Sequence, residues 1–371
     1  MNIKVDREKI LPILSRAGSV VEKRQTLPML AHLHVGVHGG ELIATGTDME
    51  VEISESVAKV EGEDGSFTVP MQKALDIVRM LPESAPITVS VDKNKVLIVS
   101  ARSRYTLNTL DPTDFPRIKE DKWEERFKMN QLTLKALLDK TSFAMAVQDV
   151  RYYLNGVLVE LENNMLRAIA TNGHRLAQSE VDVELGGKET RKLIVPRKAI
   201  LEINRFIAAD EGEDAELMVE INPYHLKLSK SGTTLITKLI DGKFPEFKGV
   251  FEKEPDVVVG IERLAFLDVL SRAGVLVSSG DQGRGVQIAL EDGTMRITGK
   301  NMEQEEAVEE VAVKYSGKPM SAGYNVEYLS DVARAAVGDT IELHIRSEDN
   351  VCILKQPDDE RTLWLVMPVR L

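Results

Sequence analysis

The chain has 371 residues, 43% hydrophobic and 29% charged, an ordinary balance for a globular protein with room for two or three cores. One cysteine, Cys352, excludes an internal disulfide and suits a reducing compartment, and no apolar run approaches membrane-spanning length. A net charge of −12 argues against nucleic acid as a partner of the whole surface, so the placement of the cations becomes decisive.

The first element is a helix, because Ile10, Ile13, Leu14, Ala17 and Val21 fall on one stripe. Leu33, Val35 and Val37 then alternate with polar residues as a strand does, and Gly39-Gly40 marks a turn. Phe67-Thr68-Val69-Pro70 runs into a second helix over 71–81, and more strands lead to Phe115-Pro116. The series then restarts. Leu134, Leu137, Leu138, Thr141 and Met145 make a helical stripe, Leu154, Val157 and Val159 a strand, and Asn163-Asn164 a turn. Leu193-Ile194-Val195-Pro196 enters a helix over 197–208, and Phe244-Pro245 closes the series. A third pass has Leu264, Leu267, Val269, Leu270 and Ala273, then Val286, Ile288 and Leu290, the turn Asp292-Gly293, and a helix over 325–337.

Landmarks keep this register. Leu-Ser-Arg-Ala-Gly stands at 14–18 and at 270–274, about 256 residues apart, and the two Phe-Pro pairs are about 129 apart. Gly46, Gly173 and Gly299 are spaced by about 127 and 126. A period near 128 is a domain length, far beyond a solenoid repeat. The expected fold is therefore α+β: three domains of one kind, 1–125, 126–252 and 253–371, each with two helices on one side of its β-sheets.

Formal charge on the six helices sums to about +4, leaving about −16 on the rest. Arg7, Lys9, Arg16, Lys73, Arg79, Lys135, Lys140, Arg197, Lys198, Arg205, Arg263, Arg272 and Arg334 supply the basic side. Such a chain would repel DNA except along its helices. Catalysis finds little footing. His32, His34 and His38 could share a strand face but have no carboxylate at ligand spacing nearby, and His174 lacks a nucleophile or an orienting acid. No metal, cofactor or catalytic residue is expected. An enzyme using His174 and a scaffold that never surrounds DNA stand as the rival readings.

Longer strings carry a resemblance. Residues 148–156 (Gln-Asp-Val-Arg-Tyr-Tyr-Leu-Asn-Gly), 171–177 (Thr-Asn-Gly-His-Arg-Leu-Ala), 194–198 (Ile-Val-Pro-Arg-Lys) and 366–371 (Val-Met-Pro-Val-Arg-Leu) resemble the bacterial β sliding clamps, the processivity subunits of DNA polymerase III. Residues 24–28, 45–48 and 303–307 are similar to the same family, and the match spans the chain in order. The resemblance implies a homodimer closed head to tail into a six-domain ring, with both helices of each domain lining the hole. Twelve helices at about 9 Å give a hole roughly 25–30 Å wide after side chains, enough for a duplex about 20 Å across. Implied partners are encircled double-stranded DNA, the clamp loader complex, the polymerase III catalytic subunit and other proteins with a clamp-binding motif. The implied location is the cytoplasm.

The resemblance also assigns sites. A peptide pocket maps to Leu154, Thr171, Gly173, His174, Arg175, Leu176, Pro245, Val250, Asn325, Tyr328, Leu365, Val366, Met367, Pro368, Val369, Arg370 and Leu371. DNA contact maps to Arg24, Gln148, Tyr152 and Tyr153, joined by the helix cations Lys73, Arg79, Arg197, Lys198 and Arg205. The dimer seam sets Lys73, Tyr105 and Leu107 against Val275, Leu276, Glu303 and Glu306. Three features depart from the family pattern: Asn172 where Asp is common, Gly249 where a basic residue is frequent, and a longer loop over 278–284 with Gly283 near the usual place of an aromatic.

Overall fold

The structure is a computed structural model that describes residues 1–22, 27–83, 85–185, 190–208, 215–277 and 285–371. Its first third runs β1 (Asn2–Asp6), α1 (Arg7–Ala17), β2 (His32–His38), β3 (Glu41–Thr47), β4 (Val51–Ala58), β5 (Gly65–Pro70), α2 (Met71–Met80), β6 (Pro86–Asp92), β7 (Lys95–Ser100) and β8 (Ser103–Asn108). A two-residue strand, Glu61–Gly62, adds to the outside of β1. The same order follows as β9 (Glu125–Asn130), α3 (Gln131–Asp139), β10 (Gly156–Glu162), β11 (Met165–Thr171), β12 (Arg175–Asp182), β13 (Arg191–Pro196), α4 (Arg197–Ala208), β14 (Glu216–Ile221), β15 (His225–Lys230) and β16 (Thr233–Lys238). It returns as β17 (Val257–Glu262), α5 (Arg263–Ala273), β18 (Gly285–Glu291), β19 (Thr294–Lys300), β20 (Glu306–Ala312), β21 (Met320–Asn325), α6 (Val326–Ala335), β22 (Thr340–Ile345), β23 (Cys352–Gln356) and β24 (Asp359–Val366). The threefold α+β repeat read from the sequence is present. The first two opening helices, α1 and α3, end before their apolar stripes do, because the chain tightens into 3-10 turns at Gly18–Val20 and Ser142–Ala144; α5 spans its whole stripe, with a like turn following at Gly274–Leu276.

Each repeat divides its strands between two antiparallel sheets, and neighbours share sheets. β16 pairs with β4, with Leu235 opposite Ile53, and β24 pairs with β12, with Trp364 opposite Ala177. Two eight-stranded sheets result, β9-β14-β15-β16-β4-β3-β2-β5 and β13-β10-β11-β12-β24-β23-β22-β17. The remaining strands form an end sheet of five around β1, β6, β7 and β8 and an end sheet of four, β20-β19-β18-β21. The chain accordingly forms two compact units, one mainly of residues 1–132 and 198–239, the other mainly of 133–183 and 240–371.

Why the apolar stripes bury is plain in the first unit. Ile10, Leu14 and Ala17 of α1 and Ala74, Leu75 and Val78 of α2 share a core with Leu33 and Val35 of β2 and Ile87 and Val89 of β6. The repeated Leu-Ser-Arg-Ala-Gly string is the last turn of α1 and of α5. A Cβ on Gly46 would lie 2.0 Å from the Ala17 carbonyl oxygen, and one on Gly299 2.4 Å from that of Ala273. Two landmarks of the sequence are thus the two sides of one close approach, a helix end seated on a strand that only glycine leaves open.

Gly173 does not belong with them. Strand register matches Gly46 and Gly299 to Ala170, since Gly46 faces Ile53, Ala170 faces Ala177 and Gly299 faces Ala307. Gly173 sits three residues on, in the following turn, at φ 90°. Its counterpart in the first repeat is Met49, at φ 73°.

Candidate peptide and DNA sites

The turn that carries His174 is built by its neighbours. Thr171 Oγ1 donates to the Arg175 carbonyl (2.6 Å) and accepts from the Gly173 amide (3.0 Å), while Asn172 Oδ1 accepts from the amides of His174 and Arg175, both 3.0 Å. The first repeat makes the same turn with Thr47 and Asp48, whose carboxylate accepts from the amides of Glu50 and Val51. Asn172 therefore keeps the acceptor that Asp would supply. Its Nδ2 adds a donor, bonded to the Tyr328 hydroxyl at 3.1 Å. Arg175 is clamped too: its guanidinium lies 4.5 Å from the Tyr328 ring centroid and 5.3 Å from that of Phe143, and it pairs with Asp331. Beside the turn, the hydrogen-bonded Arg151 guanidinium holds the Asp149 carboxyl down at about 2, with smaller help from His174.

All the sequence-assigned pocket residues fall in the second unit. Leu154, Leu176 and Leu365 join Leu158, Ile169, Ile353, Phe244 and Phe247 in one apolar cluster, with Val250 and Phe251 packed on it. Leu154 (2% exposed) and Leu365 (4%) form a covered base, while Val366 (0%) is buried outside that cluster; the outer surface is Gly173, His174, Pro245 and Met367. Thr171 and Asn325 turn out to shape the backbone, Asn325 as the cap of α6 accepting from Glu327 and Tyr328. The sequence marked Asn172 only as a departure from the family pattern and Phe244 only as part of the Phe-Pro landmark, and it did not single out Asp331, Phe143 or Phe247.

The last residues are docked. Met367 donates its amide to the His174 carbonyl (2.8 Å), Pro368 bridges to Tyr324, and the Val369 amide reaches the Gly323 carbonyl (2.9 Å). Leu371 lies so close to Gly285 and Gly323 that a Cβ on either would sit under 3 Å from it. The tail thus extends the four-stranded sheet beyond β21, with Arg370 and Leu371 at its exposed end.

The helix cations are less available than their charge suggests. Eight of the thirteen are paired with carboxylates: Lys9, Arg16, Lys135, Lys140, Lys198, Arg205, Arg272 and Arg334. Lys198, assigned to DNA, is held by both Glu22 and Asp48, and Arg205 by Glu202. Arg7 and Arg263 bind backbone carbonyls at the ends of α2 and α6. Lys73, Arg79 and Arg197 have no carboxylate partner among the described residues. Gln148 stands exposed at φ 54°, Tyr152 is 57% exposed, and Tyr153 packs half-buried on the apolar cluster. Arg24 and the 278–284 loop lie outside the described residues. Among the described residues no group of three His, Cys, Asp or Glu side chains is placed to hold a metal.

Of the proposed seam residues, Tyr105, Leu107 and Glu306 lie on two sheet edges, and Lys73 lies on α2. Tyr105 and Leu107 are on β8, packed partly on the first unit's core, and β20 carries Glu306 at its start. Val275 is 78% exposed, in the 3-10 turn after α5. No strand among the described residues pairs with the outer edge of β8 or of β20.

Three repeats sharing their sheets, a docked tail over an apolar cluster and two open edges define a sliding-clamp protein. The chain belongs to the DNA polymerase III beta subunit family, whose N-terminal, central and C-terminal domains match residues 1–119, 128–246 and 248–370. It is 38% identical to the β sliding clamp of Pseudomonas aeruginosa and 37% to that of Escherichia coli K12, each covered in full along with this chain. A crystal structure of the Pseudomonas aeruginosa subunit matches it at TM-score 0.95 and 37% identity over all of both chains, and another captures that clamp bound to griselimycin. A Caulobacter crescentus subunit matches at TM-score 0.93 and 31% identity.

Proposed function

We propose that two copies of this chain close head to tail around duplex DNA and tether the replicative polymerase and other clients through the pocket at His174 and Met367. The protein acts as a clamp and not as an enzyme, in the cytoplasm, on domains 1–125, 126–252 and 253–371.

One observation carries the reading. Within the chain, the last strand of one repeat's first sheet always pairs with the fourth strand of the preceding repeat: β16 with β4 and β24 with β12. Among the described residues only β8 and β20 lack that partner, so β8 of one protomer completes β20 of the other. Copying the internal register, Leu235 opposite Ile53, sets Tyr105 opposite Ala307 across the seam. Arg104 then falls diagonally between Glu306 and Glu310, within reach of both. A seam of unlike ends closes rather than polymerises if the rotation comes full circle.

Lys73, Arg79 and Arg197 would meet phosphates loosely, reading no bases, while Tyr152 offers a ring for stacking on an unpaired base. Few phosphate contacts mean weak, salt-sensitive direct binding. Labelled protein loaded on a nicked circle should therefore survive a salt wash and fall off after one linearising cut. Equal retention before and after the cut would rule out encirclement.

A further inference from the structure

The first unit contains a copy of the apolar pocket base in which most of the apolar residues have been replaced. Strand register makes the match. In the second unit the cross-strand row is Leu176, Leu365, Ile353; in the first it is Glu52, Ile236, Lys227. One strand further, the pair Leu158 and Ile169 corresponds to His34 and Thr45. Where the second unit packs these side chains into a cluster, the first leaves a cavity of about 630 Å³ lined by His34, Thr45, Glu52, Arg117, Lys227 and Ile236.

The charges there are organised. Arg117, whose place in the Phe-Pro segment corresponds to Glu246, donates from Nε to Glu52 Oε1 at 2.9 Å, and the Ile118 amide binds Oε2 at 3.0 Å. Glu52 is 2% exposed, while half of the Arg117 side chain remains in water. Lys227 pairs with Glu120 at 2.7 Å and lies 5.5 Å from the Trp123 ring centroid.

We propose that Glu52, Arg117 and Lys227 are selectivity residues that bar apolar client peptides from this second pocket, so that each protomer holds one. A Leu or Phe entering the cavity would strip water from Arg117 and Lys227 and give them no new partner, a cost that burial of one side chain does not offset. A clamp built from copies of one unit would otherwise offer clients equivalent seats, and the polar set removes one.

This rests on the pocket assigned at His174 and Met367, and the test separates the two. Calorimetric titration with a synthetic peptide carrying Gln and spaced Leu and Phe residues should give one peptide per protomer for the wild type and two for His34→Leu/Glu52→Leu/Lys227→Ile. Deleting residues 367–371 should then leave none in the first background and one in the second. A folded triple variant that still binds one peptide overturns the proposal, as does a wild type that binds two. A wild type that binds none while the triple variant binds one would remove the terminal pocket and leave the selectivity residues standing. Should the triple variant not fold, Glu52→Leu/Arg117→Glu copies Leu176 and Glu246; it should gain a second, weaker site, and failure to gain any overturns the proposal equally.

Discussion

Gly46 shows how a single hydrogen atom can seat a helix. Its missing side chain lets the Ala17 carbonyl rest on β3, and Gly46→Ala would drive a methyl to 2.0 Å from that oxygen. The expected loss is about 1–3 kcal/mol, read as a lower urea midpoint, whereas Ala170→Gly at the matching place in the middle repeat should cost only about 1 kcal/mol. Equal midpoints for Gly46→Ala and wild type would disprove the contact. The sequence marked both partners, as a repeated helix end and a spaced glycine, yet could not say that they touch. Spacing alone also drew Gly173 into the set, because it cannot tell a strand glycine from a turn glycine three residues later. Glu52 offers a second residue-scale test. Burial raises its carboxyl above the ordinary 4.5, against the opposing pull of Arg117 and of the Ile118 amide and with a small push from Glu120. A raised folded-state value gives stability that is whole below the unfolded value and is lost as pH climbs through the folded one. The stability of wild type relative to Glu52→Gln should therefore fall between pH 4 and neutrality, as thermal melts at a series of pH values would record; a rising difference would contradict it.

Among the elements, the helices were the easiest to read and their electrostatics the hardest. The sequence placed all six, but four of the eight paired cations find carboxylates outside their own helix and far away in sequence: Arg16 meets Glu55, Lys140 meets Asp359, Lys198 meets Glu22 and Asp48, and Arg272 meets Glu309. A charge sum over helices could not see this, so the positive surface it suggested is largely neutralised. The pocket was legible for a different reason. Its turn and tail are continuous strings, whereas Phe143 and Asp331 reach Arg175 from separate elements. At the sheet edges, β8 carries Arg104 and β20 carries Glu306 and Glu310, so the proposed seam would join a basic strand to an acidic one. Arg104→Glu should loosen the dimer by about 1 kcal/mol at each seam, roughly fivefold in that contact's dissociation constant, and Glu306→Arg in the same chain should recover part of it. Sedimentation velocity at low salt would measure both, and an Arg104→Glu dimer as tight as wild type would discard the copied register.

For the whole molecule, sequence repeats and compact units are different divisions of one chain. Repeats follow the order of elements; the units follow the shared sheets, so the middle repeat divides between them, with β14, β15 and β16 in the first unit and β10, β11 and β12 in the second. No periodicity argument reveals this, because edge-to-edge pairing leaves no spacing signal in the chain. It has a consequence for how the protein opens. Backbone amides become accessible to solvent deuterium through cooperative openings that follow contiguous structure. The amides of 216–221 should then exchange in step with those of 51–58, more than 150 residues away, and out of step with those of 156–162 in their own repeat. Under mild denaturant, exchange that instead tracked the three repeats would refute this. On the expected outcome, the middle repeat has no independent opening equilibrium, and its two halves loosen with different neighbours.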